Sequence, residues 1–195
     1  MATHVALLRG INVGGRNRVA MADLREILTS LGHNEVATYI QSGNVVFSPG
    51  QAGTGETGTV ALATAIEKAV EERTGVRSRV LVLSSADLAQ IARDNPYPDE
   101  LNPKAVHVVF LPAEPAPDMI ASVAEVQEKV AQKGSPDTAR YVGRALFLHT
   151  PESFGRSELA TLLTRAGRPL SSQGAGTARN VATVRKLLDM CGVSA

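Results

Sequence analysis

The sequence contains a single cysteine, Cys191, no tryptophan and only 4 % aromatic residues. One cysteine excludes an internal disulfide framework and a cysteine-rich zinc site, and we interpret Cys191 as a small core residue. No apolar run approaches the roughly 18 residues that a membrane helix needs. Residues 1–4 lack the charged and then apolar layout of a signal peptide. We therefore expect a cytoplasmic protein that does not bind a membrane.

The sequence also lacks the spacings typical of metal sites and common catalytic nucleophiles. His4, His33, His107 and His149 do not follow a metal-ligand spacing such as H-x-x-x-H. There is no G-x-S-x-G motif, and no histidine stands at a known catalytic spacing from the cysteine. The few aromatic residues disfavour RNA recognition by stacking of bases on a sheet. We predict no metal and no cofactor, and we assign no catalytic residue.

Charge is unevenly distributed, although the net charge of the 195 residues is only +1. Residues 51–133 contain more acidic than basic side chains, whereas residues 134–195 contain eight basic and four acidic ones. Arg9, Arg16 and Arg18 lie within ten residues of one another. This clustering permits an anionic partner on a local patch, and scattered solvated charge is the alternative.

Hydrophobic periodicity predicts the order strand, helix, strand, strand, helix, strand twice along the chain, with a further helix after each set. That order is typical of the ferredoxin-like, split βαβ arrangement. We therefore predict an α+β fold of two similar ferredoxin-like subdomains that arose by internal duplication. The predicted strands are at 5–8, 36–40, 45–47 and 79–83 in the first half, and at 106–110, 138–142, 145–149 and 176–178 in the second.

Prolines separate the two predicted subdomains. The segment 95–104 contains Asn-Pro-Tyr-Pro and Asn-Pro, which are incompatible with a helix. We predict a first subdomain at 1–94, a proline-rich link at 95–104 and a second subdomain at 105–195. Asp99 and Glu100 lie in this link and are expected to be solvated.

The loop at 9–18 is the strongest local signal of function. It follows a strand and precedes a helix, and Gly14 and Gly15 allow the backbone to turn and to expose N–H groups to an anion. Its three guanidinium groups suit phosphate or carboxylate. It matches neither the dinucleotide-binding motif nor the Walker A loop. A purely structural loop between strand and helix is therefore the alternative.

Topology is expected to place this loop beside the turn at 41–44. In a split βαβ unit the first two strands run parallel, so the segments that leave them lie at the same end of the sheet. Polar residues of both segments would form one donor-rich rim. These residues are Arg9, Asn12, Arg16, Gln41, Ser42 and Asn44.

Two further arginines could supply a second contact. Arg179 and Asn180 stand at the start of the last predicted helix, where the N-terminus favours an anion. Capping of that helix is the alternative for Asn180. Arg156 has a similar position before Ser157, itself a predicted helix cap.

Several stretches spread over the chain carry a resemblance to a known family. They are 7–15, Met21, 23–24, 38–47, 107–111, 155–157, 177–184 and 186–187. These stretches resemble the bacterial domain-of-unknown-function family 1697, with a departure at Val181, where the family usually has an aromatic residue. The resemblance implies a compact α+β protein of two related subdomains, and it implies no established activity, cofactor or catalytic residue.

The resulting hypothesis is binding of an anionic, phosphate-bearing ligand, such as a nucleotide or nucleic acid, at the arginine and glycine loop. An enzyme of unrecognised class that uses the same polar rim is one alternative. A protein-interaction module with a structural loop is another, and the oligomeric state is left open. The predicted ligand-binding residues are Arg9, Asn12, Gly14, Gly15, Arg16, Arg18, Gln41, Ser42, Asn44, Arg156, Arg179 and Asn180.

Overall fold

Two four-stranded antiparallel sheets organise the computed structural model, which describes residues 1–50, 56–165, 169 and 176–194. The chain divides into two compact units, Met1–Gln90 with Arg185–Ala195, and Ile91–Val184. Among the described helices, none has the length and apolar composition required to cross a bilayer.

The first unit contains a sheet in the order β2-β3-β1-β4, with every neighbouring pair antiparallel. Because β3 lies between β1 and β2, these two strands run parallel and leave the sheet at the same end. The elements are β1 (His4–Leu8), α1 (Met21–Ser30), β2 (Asn34–Tyr39), β3 (Asn44–Ser48), α2 (Glu56–Thr74), β4 (Val80–Ser84) and α3 (Ser85–Arg93).

Alternation along the strands builds the core of this unit. Ala6 and Leu8 of β1 point to the same side of the sheet as Val45 and Phe47 of β3, because side chains alternate along a strand. Apolar side chains at helical spacing on α1 and α2 cover that side. The buried helix residues are Leu24, Ile27, Leu28, Leu62, Ile66 and Val70.

The second unit repeats the order of the first, as β6-β7-β5-β8. The predicted α+β class is confirmed, and the repeat is consistent with a duplicated arrangement. The elements are β5 (Val106–Phe110), α4 (Pro117–Ala131), β6 (Thr138–Val142), β7 (Ala145–His149), a 3-10 turn (Phe154–Arg156), α5 (Glu158–Leu163) and β8 (Thr177–Asn180). The last helix, α6 (Val181–Met190), begins in this unit, and its residues from Arg185 onward belong to the first unit.

Side-chain caps fix the beginnings of two predicted helices. The hydroxyl of Ser84 accepts a hydrogen bond from the N–H of Asp87 at 3.0 Å at the start of α3. The hydroxyl of Ser157 accepts one from the N–H of Ala160 at 2.9 Å. Each cap satisfies an N–H group that has no partner within its helix.

The segment 95–104 is bound to the second sheet, and the expectation that Glu100 is solvated is wrong. Its carboxylate lies 2.6 Å from Nε2 of His149, and the Tyr97 ring stacks on the same imidazole at 5.0 Å. Hydrogen bonds from the backbone N–H of Asn102 and from His149 lower the pKa of Glu100. These contacts join residues about fifty positions apart, so local composition does not indicate them.

Candidate functional site

The loop between β1 and α1 lies beside the β2–β3 turn, as the topology predicts. The N–H of Leu8 donates to the carbonyl of Gly43 at 2.8 Å, and the N–H of Arg9 donates to the carbonyl of Arg79 at 2.9 Å. Gly43 has a φ of +77°, and a Cβ there would lie 2.8 Å from Ile11 and from Leu8. Glycine is therefore required for the turn to pack on the start of the loop.

Most of the loop is a small hairpin of its own. The N–H of Asn12 donates to the carbonyl of Asn17, and the N–H of Arg16 donates to the carbonyl of Val13, both at 3.0 Å. The φ angles of Gly14 and Gly15 are +57° and +76°. A two-residue turn with positive φ at both positions favours glycine, so the turn itself accounts for this pair.

Asn12 joins three segments around this loop. Its Oδ1 accepts a hydrogen bond from the N–H of Val19 at 3.0 Å. Its Nδ2 donates to the carbonyls of Val19 and Gln41, each at 2.9 Å. Both N–H groups of the amide are thus directed at the main chain. Asn12 holds the loop, the approach to α1 and the β2–β3 turn together.

Asn44 performs a comparable task inside the β2–β3 turn. It is fully buried, and its Nδ2 donates to the carbonyl of Tyr39 at 3.0 Å and to the hydroxyl of Ser42 at 2.9 Å. The turn also holds Ile40 at a φ of +47°, which is unusual for a β-branched residue. Asn44 therefore stabilises an irregular turn from below.

A cavity of about 490 Å³ opens between the loop, the beginning of α1 and the turn. Four of the predicted site residues line it: Asn12, Gly15, Arg18 and Gln41. The remaining wall consists of Val19, Ala20 and Met21.

The beginning of α1 gives one end of this cavity a positive character. The first helical N–H groups have no carbonyl partner within the helix. Ala20, which precedes the helix, has no polar side chain to cap them. Asp23 in the first turn partly offsets the positive end of the helix dipole. No acidic side chain is among the described residues that line the cavity.

Five predicted residues of the first unit do not line the cavity. Arg16 is exposed next to the Gly14–Gly15 turn of the small hairpin. Arg9 is half-buried beside the sheet, and this burial lowers the pKa of its guanidinium. Gly14 and Ser42 are exposed in their turns, and Asn44 lies beneath its own.

The predicted residues of the second unit occupy different surroundings. Arg156 is exposed and lines a cavity of about 280 Å³ next to Lys133 and Glu158, which form an ion pair. Nη1 of Arg179 donates to the carbonyl of Ala178 at 2.7 Å, and burial lowers the pKa of Arg179 to about 10.

Asn180 is a helix cap, which confirms the alternative that the sequence offered for it. Its Oδ1 accepts a hydrogen bond from the N–H of Thr183 at 2.8 Å, at the start of α6. This arrangement satisfies one of the unpaired N–H groups of that helix.

Sequence reasoning missed the apolar wall of the first cavity. No place in a site was predicted for Val19 or Met21. The available signal was Ala20, because a helix that begins after alanine has no side-chain cap. Among the described residues, no group of three or more His, Cys, Asp or Glu side chains could hold a metal ion.

In the described part of the chain, two similarly ordered antiparallel sheets and the helices beside them define a mixed α+β protein, consistent with a duplicated arrangement. The chain belongs to the family described as protein of unknown function (DUF1697), whose model matches residues 1–147. The predicted family is therefore confirmed. The fold is similar to that of a conserved bacterial protein from Streptococcus pneumoniae, with a TM-score of 0.66 and 24 % identity over 97 % of this chain and 98 % of that one. No curated protein matches this chain.

Proposed function

We propose that this protein binds a small phosphate-bearing anion in the cavity between the β1–α1 loop and the β2–β3 turn. The single observation that carries the proposal is the composition of that cavity. It combines a guanidinium group, Arg18, with the uncapped beginning of α1 and with no acidic lining residue. Backbone N–H groups at a helix N-terminus and a guanidinium fork are both suited to phosphate oxygens.

The energetic contributions favour Arg18 as the main determinant of affinity. A helix N-terminus contributes about 0.3–1 kcal/mol to the binding of a negative charge at the surface. A hydrogen bond to a charged group contributes about 1.5–3 kcal/mol. Arg9 and Arg16 do not line the cavity, and in this proposal they raise the local positive potential. Arg156 offers a second, separate contact for an anion.

The use of the same rim by an enzyme is less well supported. A rim that stabilises an oxyanion needs donors aimed at a reacting oxygen. The two N–H groups of Asn12 are directed at main-chain carbonyls. The Nδ2 of Asn44 lies beneath the turn and donates within it. These two residues therefore act as supports of the site in our proposal.

The test is a titration of the full chain with inorganic phosphate, followed by backbone amide NMR shifts at two ionic strengths. We expect shifts at Gly15 and at the first residues of α1, with weaker binding at higher salt. Arg18→Ala should weaken binding about tenfold or more, because a charge-assisted contact is lost. Arg144→Ala, which removes an arginine from the β6–β7 turn of the second unit, is the control. If phosphate causes no localised shifts, or Arg144→Ala weakens binding as much as Arg18→Ala, the proposal is wrong.

We also propose that each unit is a ferredoxin-like, split βαβ domain. The support is the strand order β2-β3-β1-β4 in the first sheet and its repetition in the second. In both units the first strand lies between the third and the fourth. This arrangement is the one expected when two split βαβ units interlock in one sheet.

A further inference from the structure

We infer that the ligand of this cavity is a small phosphate monoester with an aliphatic, hydroxyl-bearing organic part, of the sugar-phosphate type. The inference rests on the proposed function, because it names the class of ligand for the same cavity. It excludes inorganic phosphate alone and a nucleic acid strand as the preferred ligand.

The size of the cavity is the first argument. At about 490 Å³ it has the volume of a typical small-molecule site and is much larger than an inorganic phosphate ion. Only one cationic side chain, that of Arg18, is among the described lining residues. One cation and one helix N-terminus suit a single phosphate group. The remaining volume then accommodates an organic part without a second negative charge.

The chemistry of the wall is the second argument. Ala20 is exposed and Met21 is half-buried, so both offer aliphatic surface to a carbon skeleton, whereas Val19 is only 2 % exposed and belongs to the core. None of the described lining residues is aromatic, and the cavity thus offers no side chain on which a base could stack. Gln41 lines the cavity from the β2–β3 turn, and its exposed amide can both donate to and accept from a hydroxyl group.

The positions of the other arginines argue against a polymer. A strand of nucleic acid needs cationic groups along a groove that follows successive phosphates. Arg9 and Arg16 stand outside the cavity lining, and Arg9 is half-buried beside the sheet. Of the three arginines in this loop, Arg18 alone is among the described residues that line the cavity, so the lining does not offer a series of cations to successive phosphates.

The cavity is also held in shape before a ligand arrives. The three hydrogen bonds of the Asn12 side chain, at 2.9–3.0 Å, join the wall at Val19 to the turn at Gln41. Such preorganisation favours a ligand of fixed size, since little ordering is needed on binding. A compact monoester benefits from this more than a flexible strand does.

The experiment is a calorimetric titration of the full chain with four probes. These are inorganic phosphate, ribose 5-phosphate, adenosine 5′-monophosphate and a single-stranded oligonucleotide. We expect ribose 5-phosphate to bind about tenfold more tightly than inorganic phosphate, because the wall and Gln41 add contacts. Adenosine 5′-monophosphate should bind no more tightly than ribose 5-phosphate, because the base has no stacking partner.

A variant of the wall separates the organic part from the phosphate. Gln41→Ala should reduce the affinity for ribose 5-phosphate about fivefold and leave that for inorganic phosphate unchanged. Gln132→Ala, an exposed glutamine at the end of α4, is the matched control and should change neither affinity.

The possible outcomes distinguish this inference from the proposed function. Equal affinities for inorganic phosphate and ribose 5-phosphate would overturn the inference and leave phosphate binding intact. Tightest binding of the oligonucleotide, or of the adenine nucleotide, would also overturn it. Absence of binding for every phosphate-bearing probe would overturn the proposed function, and the inference with it.

Discussion

The two units use the same strand order but connect the first strand to the first helix differently. In the first unit this connection has twelve residues, Arg9–Ala20, with three arginines and no acidic residue. In the second unit it has six residues, 111–116, with Pro112, Glu114 and Pro115. Both begin alike, because Leu8 donates to Gly43 and Leu111 donates to Arg144. The two units therefore share a frame, namely the four-stranded sheet with the same strand order, and the cavity is formed by the longer connection of the first unit.

The turns beside these connections differ in the same sense. Four residues join β2 to β3, whereas Gly143 and Arg144 alone join β6 to β7. The strand that follows begins with buried Asn44 in the first unit and with buried Ala145 in the second. A two-residue turn closes through its own backbone hydrogen bonds. The longer turn instead needs a side chain beneath it, and that need explains a buried asparagine.

Truncation of a buried side chain in the sheet should destabilise both units by a similar amount. Phe47 of β3 and Leu148 of β7 follow the turns at the same distance, and both are 0 % exposed. Replacing either with alanine should lower the free energy of unfolding by about 4 kcal/mol, through lost burial and a cavity. Urea denaturation of both variants measures this. A cost below about 1 kcal/mol for one of them would show that the two cores are not equivalent.

The turn positions should respond very differently. Gly43→Ala should lower the free energy of unfolding by about 3 kcal/mol. The alanine would have to adopt the positive φ of this position, and its Cβ would clash with Leu8 and Ile11. Arg144→Ala, at the corresponding position, should change it by less than about 0.5 kcal/mol. Thermal and urea unfolding of the pair measure the difference. Equal costs would contradict the packing described for Gly43.

Burial of His107 should make the free energy of unfolding depend on pH. Burial lowers the pKa of His107 to about 4, and its ring stacks on Phe154 at 4.0 Å. As the pH falls, His107 therefore takes up a proton near pH 6.5 in the unfolded state, but only near pH 4 in the folded state. Stability is complete above pH 6.5 and falls as pH decreases toward about 4, by at most about 3 kcal/mol.

His107→Phe tests this expectation, because it keeps a ring on Phe154 and removes the titrating group. The free energy of unfolding of the variant should depend less on pH between 6.5 and 4 than that of the native chain. Burial also lowers the pKa of His33 in the first unit, with a further lowering by nearby His4, so part of the slope should remain. An unchanged slope in the variant would show that His107 does not contribute.

The frame could be predicted from sequence, and the supports of the site could not. Apolar periodicity and the cap at Ser157 are local signals, and they predicted the strands, the helices and the start of α5 correctly. The contact of Glu100 with His149 and the bonds from Asn12 to Val19 and Gln41 depend on tertiary structure. An asparagine in a glycine-rich loop can bind a ligand or its own backbone, and the sequence does not distinguish these uses.

Replacement of the buried Asn44 should have a smaller effect on the free energy of unfolding than the changes above, and it compares the two turns most directly. Asn44→Ala gives the first unit the residue that the second unit has in Ala145, but leaves a four-residue turn above it. The carbonyl of Tyr39 and the hydroxyl of Ser42 then lose a donor, which should lower the free energy of unfolding by about 2 kcal/mol. Ser42→Ala is the control, and it should cost less because Ser42 is exposed. Urea denaturation of the two variants measures the costs. If Asn44→Ala costs no more than Ser42→Ala, the turn is held by its backbone alone, and the two units close their hairpins in the same way.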